Sequence, residues 1–354
     1  MRDTDCIPPE TRLPSPRVNA ATRPSPDRVL QLAWGYAPTL IIEAAVQNRL
    51  FDVLVDGPLG VDEIARRSGA SVRGVRAITD ALVGLQLLSR MGSSYALTLE
   101  SDTYLVSRRP ASLAPFFKNM GREFLPAWTE LPKIVRSGQP ASAVNRQDHG
   151  AEFFSEFVES LFPLCYAAAR ALGEHLGVPS ATEAVSVLDL GAGSGVWGIG
   201  LAQLSSHVQI TAVDWPRVLD VTRRMASRSG VRNRLKGVAG DLLVADFGVD
   251  HHIATIGHVL HSEGVDRSRE LLRRAFAALA PGGTVAIMEF LVNDERTGPA
   301  PSLIFAVNML VHSEHGDAFT FAEIRAWLEE AGFVNARLLE VPAPSPLVLA
   351  TKPS

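Results

Sequence analysis

His258 and His261 follow an apolar run that begins at Ile253, and Glu289 follows a second, Val285–Met288. A neutral imidazole ionises near ~6.5, so it can accept a proton from an attacking hydroxyl at neutral pH. Such a base needs an orienting partner, and Glu289 is expected at the end of the adjacent strand. The residues leave three roles open for His261: general base, substrate contact or structural side chain. For His258 they leave a cofactor-side contact or a core position. Residues 187–195, Val-Leu-Asp-Leu-Gly-Ala-Gly-Ser-Gly, add an apolar strand running into a glycine turn and then a helix. Such a turn lets a ligand approach backbone N–H groups closely. Gly193, Gly195 and Gly198 also satisfy the G-x-G-x-x-G spacing of dinucleotide sites, so the glycines alone do not name the ligand.

These groups need a scaffold to bring them together. From about Ala181 strand and helix patterns alternate, as in a doubly wound parallel sheet. Strands are expected near 185–190, 208–213, 235–239, 252–258, 284–292, 334–341 and 346–352. The last two are separated only by Pro-Ala-Pro-Ser-Pro, too short for a crossover helix, so they should pair antiparallel. "AALAPGG" is expected to end a helix with a Pro-Gly-Gly turn before the fifth strand. Thr320 and Glu323 have capping-box spacing, with Phe319 and Ile324 as the hydrophobic staple. Asp214 ends the second strand, 23 residues after Gly191, where an acid can accept hydrogen bonds from both hydroxyls of a ribose. Four histidines fall within 251–261, but His251 and His252 should open their strand and His258 and His261 close it, roughly 20 Å away at ~3.3 Å per residue. No cysteine or paired carboxylate completes a ligand set, so no metal is expected.

Asp189 two positions before Gly191, with the spacing Gly191-x-Gly193-x-Gly195, resembles motif I of class I S-adenosylmethionine-dependent methyltransferases. "AVDWPRVLDVTR" is similar to the "DLPHVI" segment of the caffeic acid and hydroxyindole type of O-methyltransferase, and Gly240-Asp241-Leu242 to its G-D-F/M segment. The resemblance implies a Rossmann-like seven-stranded methyltransferase sheet with an antiparallel last strand, in the α/β class. A winged-helix dimerisation domain would precede it. S-adenosyl-L-methionine would be held by Asp189, Gly191, Gly193, Asp214, Trp215, Asp241, Leu242, Gly257 and His258, with Asp241 on the adenine amino group and Leu242 against the ring. His261 in "VLHSEG" matches the catalytic histidine of the family's L-H-D-W motif, with Ser262-Glu263 in place of Asp-Trp. Glu289 corresponds to the glutamate that holds this histidine, and Ala318 stands where the family has a second one. The acceptor side would draw on Phe157, Phe162 and Tyr166 and on Met309, His312 and Ser313. The activity implied is O-methylation of a phenolic or enolic hydroxyl on an apolar small molecule, in secondary metabolism. The departures at 262, 263 and 318 also admit C- or N-methylation, or a relative that does not methylate; a nicotinamide enzyme is a further alternative.

The rest of the chain is consistent with two domains or one with a large cap: 354 residues, 46% hydrophobic, 20% charged, net charge −4. The mild acidity argues against an electrostatic grip on nucleic acid or anionic lipid. Two cysteines, Cys6 and Cys165, suit a reducing compartment, and the first residues lack the apolar stretch of a signal peptide. A cytoplasmic enzyme is expected, without nucleic-acid or membrane partners. Residues 1–27 hold six prolines and no apolar period, as in a disordered tail. Residues 28–106 read as the winged helix, with Ser71 capping its second helix and "YALTLES" as the wing. Residues 29–105 carry six Arg and no Lys against eight acids, so a homodimer contact is expected there rather than DNA. Residues 107–180 form a helical, aromatic-rich cap in which Pro163 should kink or end a helix, and 181–354 form the methyltransferase domain.

Overall fold

The computed structural model describes residues 24–118, 120–141 and 147–354; side chains at 122, 123, 147–150, 152, 153, 155 and 156 are also outside the description. Most of the expected N-terminal tail, and the side chain of Phe153, therefore lie beyond it. Backbone contacts divide the chain into two units, Met1–Pro38 and Thr39–Ser354. In the first, a short helix covers Asp27–Ala33, and Val29, Leu30, Leu32, Trp34 and Tyr36 are exposed. The second unit carries both sheets and the cleft. A second helix covers Ala37–Gln47 and a single 3-10 turn Asp52–Leu54.

Three short strands, β1 (Leu59–Gly60), β2 (Leu88–Met91) and β3 (Ser94–Leu97), form an antiparallel sheet in the order β1-β3-β2. Helices Val61–Ser68 and Val72–Gly84 precede the wing. Gly69 ends the first in a left-handed conformation and the Ser71 hydroxyl accepts the Gly74 N–H at 3.1 Å to start the second. Arg66 and Arg67 both bond Glu63 on their own helix, while Arg73 and Arg76 are exposed.

The larger sheet contains β4 (Val185–Leu190), β5 (Val208–Asp214), β6 (Leu235–Ala239), β7 (His251–Gly257), β8 (Leu279–Met288), β9 (Val334–Leu339) and β10 (Leu347–Thr351). Its order is β6-β5-β4-β7-β8-β10-β9, with β10 antiparallel to both neighbours. Alternate residues serve opposite layers. Val187, Ala286 and Leu347 pack under the helices Gln147–His175, Val196–Ala202 and Pro216–Arg228; Leu188, Ile287 and Val348 pack under Leu260–Ala278 and Phe321–Ala331. A strand buried on both faces has no polar side, which is why these segments read as continuous apolar runs. The capping box at Thr320 and Glu323 is formed reciprocally at 3.0 and 2.8 Å, with Phe319 and Ile324 buried in one cluster.

One local expectation is corrected and another narrowed. Pro281-Gly282-Gly283 does not stop the chain before the fifth strand of this sheet. β8 already pairs at Leu279, and these residues form a register shift within it, between the pairs His251/Leu279 and Ile253/Thr284. The bulge keeps its hydrogen bonds through β10's extension, where Lys352 N–H donates to Gly283 and accepts from Gly282 through its carbonyl. Of the two outcomes expected at Pro163, a kink or a helix end, the end is excluded, since the helix continues from Gln147 to His175. Packing of this helix along Val196–Ala202 outweighs the one backbone bond that proline removes.

Candidate functional site

The carboxyl ends of β4, β5, β6 and β7 open onto one cleft. Where β4 ends, Gly191 and Gly193 take φ of +64° and +55°, a region where a Cβ is strained. A Cβ on Gly191 would also lie 2.5 Å from Val259. The Gly193 N–H donates to Asp214 Oδ2 at 2.8 Å, so the acid at the end of β5 fastens the loop from the neighbouring strand. The Trp215 N–H donates to the other carboxylate oxygen at 2.7 Å. Burial against the wall pushes the Asp214 carboxyl up to about 6, with these two N–H groups opposing the shift.

Gly191, Gly193, Asp214, Trp215, Asp241, Leu242, Gly257 and His258 all line this cleft. Asp189 does not, and this corrects its placement. It is fully buried beneath the loop, accepting from the Gly198 N–H at 3.1 Å and the Thr255 hydroxyl at 2.9 Å. Its carboxyl is pushed up to about 7 by burial. Side chains alternate along β4, so a residue two before the turn points into a layer of the fold and braces the helix start instead of meeting a ligand. The opposite wall is built by Phe154, Val158, Leu161 and Cys165 of the long helix, a stripe at helical spacing that the sequence reading did not single out. Trp197 is another missed member: a Cβ on Gly257 would lie 2.0 Å from its Nε1, so only glycine fits there.

On the β7–β8 side, His261 Nδ1 lies 2.7 Å from Glu289 Oε2, and the His261 backbone N–H donates to Oε1 at 3.3 Å. Glu289 is buried. Burial works to raise its carboxyl, but the attraction and hydrogen bonds of His261 prevail and hold it below the usual carboxylate range. His258 sits at φ +59° with a buried Nδ1 that has no hydrogen-bond partner. Burial pushes it down to about 4, against the pull of Glu289, so the ring is neutral at pH 7. Donor atoms of His258, His261 and Glu289 all lie within 4.8 Å of one another, while His251 bonds Ser186 and the Phe247 carbonyl at the far end of β7. Phe290 and Phe305 stack at 3.9 Å and wall this corner, Phe305 edge-on to His261 at 4.8 Å. Neither was expected; Phe290 follows Glu289 directly, which was the available signal. Ala318 is buried, and its neighbour Asp317 donates its N–H to the His261 carbonyl while its carboxylate grips Arg296.

His261 itself does not line the cleft, although its neighbours His258 and Ser262 do. The six acceptor-side residues divide. Phe157 packs on Phe116 and Phe124, and Phe124 meets His312 edge-on, so 157 and 312 share one aromatic cluster. Met309 is buried on the same helix, Ala300–His312. Phe162 and Tyr166 are corrected: they stack on each other at 5.4 Å and pack on the sheet core, with the Tyr166 hydroxyl donating to Gln203. They occupy a different stripe of the helix from the one facing the cleft. Ser313 is corrected too, since its hydroxyl donates to the Met309 carbonyl and accepts the Gly316 N–H, closing the turn after the helix.

The glycine loop, the acid at the end of β5 and the reversed β10 together define a methyltransferase sheet with a nucleoside cleft. Glycines at 191 and 193 that admit a close approach, an acid at the end of β5 and largely apolar walls suit S-adenosylmethionine. Residues 128–334 match the O-methyltransferase domain family and residues 30–107 the O-methyltransferase dimerisation domain. The chain belongs to the O-methyltransferase family and is a methyltransferase that uses S-adenosylmethionine. It is 28% identical over 330 residues to the tetracenomycin polyketide synthesis 8-O-methyl transferase TcmO of Streptomyces glaucescens, covering 93% of this chain and 97% of that one. A 3-hydroxy-5-methyl-1-naphthoate 3-O-methyltransferase of Streptomyces sahachiroi is 28% identical, covering 90% and 92%. The crystal structure of human N-acetylserotonin methyltransferase in complex with S-adenosylmethionine superposes with a TM-score of 0.79 at 25% identity, covering 95% of this chain and all of that one.

Proposed function

We propose that the acceptor is an aromatic or enolic hydroxyl on an apolar, polyketide-like small molecule, with His261 as the general base and Glu289 holding it. The observation that carries this is the 2.7 Å bond from His261 Nδ1 to a buried carboxylate, which leaves Nε2 as the proton-accepting atom. Bound S-adenosylmethionine supplies a methyl group already activated on a sulfonium. The protein's work is then to place the hydroxyl in line, exclude water and take one proton. Phe290 and Phe305 offer flat apolar faces beside His261, and Phe157, Met309 and His312 extend the acceptor side from neighbouring helices. The hydroxynaphthoate in the name of one Streptomyces relative and the polyketide synthesis in the name of the other support the same class.

The cofactor contacts are assigned to Gly191, Gly193, Asp214, Trp215, Asp241, Leu242, Gly257 and His258. The domain division at 28–106, 107–180 and 181–354 is part of the proposal, its first segment supported by the dimerisation match at 30–107, and a homodimer through the N-terminal domain agrees with that match and the exposed Val29, Leu32 and Trp34. A cytoplasmic location without nucleic-acid or membrane partners remains part of the proposal. Asp27–Gln47 is apolar and long enough to cross a membrane by length and composition; here that apolar surface is assigned to the dimer contact. The decisive test incubates the purified chain with methyl-labelled S-adenosylmethionine and a panel of hydroxylated naphthoates and hydroxyindoles, then locates the label by mass spectrometry. Label on oxygen is the expected result. Label on carbon or nitrogen, or none with any panel member despite bound cofactor, overturns the assignment.

A further inference from the structure

The side chain of Glu263, two residues after His261, is nearly buried. A buried carboxylate must be paired, and Glu263 bonds Arg267 Nε four residues on, across the non-helical Gly264 that kinks this segment. Arg267 then reaches across to the loop after β6, where one terminal nitrogen donates to both oxygens of Asp241 at 3.1 and 2.9 Å. The Leu243 N–H fixes Asp241 Oδ1 from the other side at 2.8 Å. All three charged residues line the cleft. The helix after β7 and the loop after β6 are thus joined by a planar cation clamped between two carboxylates.

Resting on the assignment of this cleft to S-adenosylmethionine, with Asp241 on the adenine amino group, we propose that Arg267 reads the adjacent ring nitrogen. Asp241 Oδ2 retains a lone pair that can accept from the exocyclic amino group. Arg267 has N–H groups beyond those spent on the two carboxylates, and these can donate to the adjacent ring nitrogen. Acceptor beside donor is the complement of adenine. It is the wrong pattern for hypoxanthine, whose ring nitrogen carries a hydrogen and whose exocyclic atom is an acceptor. Glu263 sets the angle of the guanidinium, which makes it a positioning residue.

Calorimetry with S-adenosylhomocysteine and its deaminated analogue, S-inosylhomocysteine, separates this role from that of a plain salt bridge. The wild-type chain should prefer the adenosyl compound by at least about tenfold. Arg267→Met should weaken S-adenosylhomocysteine by about tenfold and shrink the preference, with Arg267→Lys between the two. If Arg267→Met leaves Glu263 unpaired and fails to fold, Glu263→Gln/Arg267→Met removes both charges and should show the same loss of preference. An unchanged ratio in a folded variant overturns the role of Arg267. No heat with either compound for the wild-type chain overturns the cofactor assignment itself.

Discussion

The two halves of the site differ in how their residues are placed. On the cofactor half, backbone does the positioning: glycine turns, a strand tip and a loop amide hold Asp214 and the cleft floor. On the proposed acceptor half, side chains on separate helices and strand ends meet around His261. The first kind of site is written in contiguous sequence; the second depends on which stripe of a long helix turns inward. If this contrast holds, binding and turnover should fail separately. His261→Ala should lower methylation by at least ~10²-fold, because general-base help is typically worth that much, while calorimetry gives wild-type affinity for S-adenosylhomocysteine. A loss of only a few-fold would leave positioning as the whole mechanism and His261 as a contact.

Asp214→Ala tests the other half. Losing charge-assisted bonds to a ribose and to the Gly193 N–H should weaken S-adenosylhomocysteine by about tenfold or more, with the acceptor KM little changed. An effect confined to turnover would erase the distinction between the halves.

What was legible follows the same division. Strand positions, the reversed pair β9–β10 and both helix caps were readable because each rests on a local pattern: alternation, loop length or a three-residue spacing. The sequence put Asp189 in the cleft because motif spacing says nothing about which face of β4 an odd or even residue takes. Phe162 and Tyr166 were chosen by residue type, yet the cleft uses the stripe through Val158, Leu161 and Cys165. Phe305 was hidden for a different reason, since it joins the site across the 44 residues of chain that separate it from His261.

The pH response of the His261–Glu289 pair sharpens the contrast further. With its pKa held below the usual range in the folded protein, Glu289 contributes stability above its unfolded value of ~4.3, lost as pH falls through the folded value. In His261→Ala the same carboxylate is buried without that partner. Burial alone then raises its pKa, and stability should fall as pH rises past ~4.3. Chemical denaturation should therefore show the variant's deficit growing from pH 4 to pH 8, by up to about 3 kcal/mol. A deficit that does not change with pH would mean that Glu289 is satisfied by other groups.

The smallest effects separate the two stripes of the long helix. Phe162→Ala removes a half-buried ring from the sheet core, costing about 1–3 kcal/mol of stability with KM values near wild type. Leu161→Ala, one residue earlier, cuts a side chain that faces the cleft, so it should raise KM for cofactor or acceptor by several-fold with less loss of stability. Neighbouring positions with opposite signatures are what a helix with one face on the core and one on the cleft requires. If both variants changed only stability, the stripe through Leu161 would be packing, and the cleft wall would have to be sought on another element.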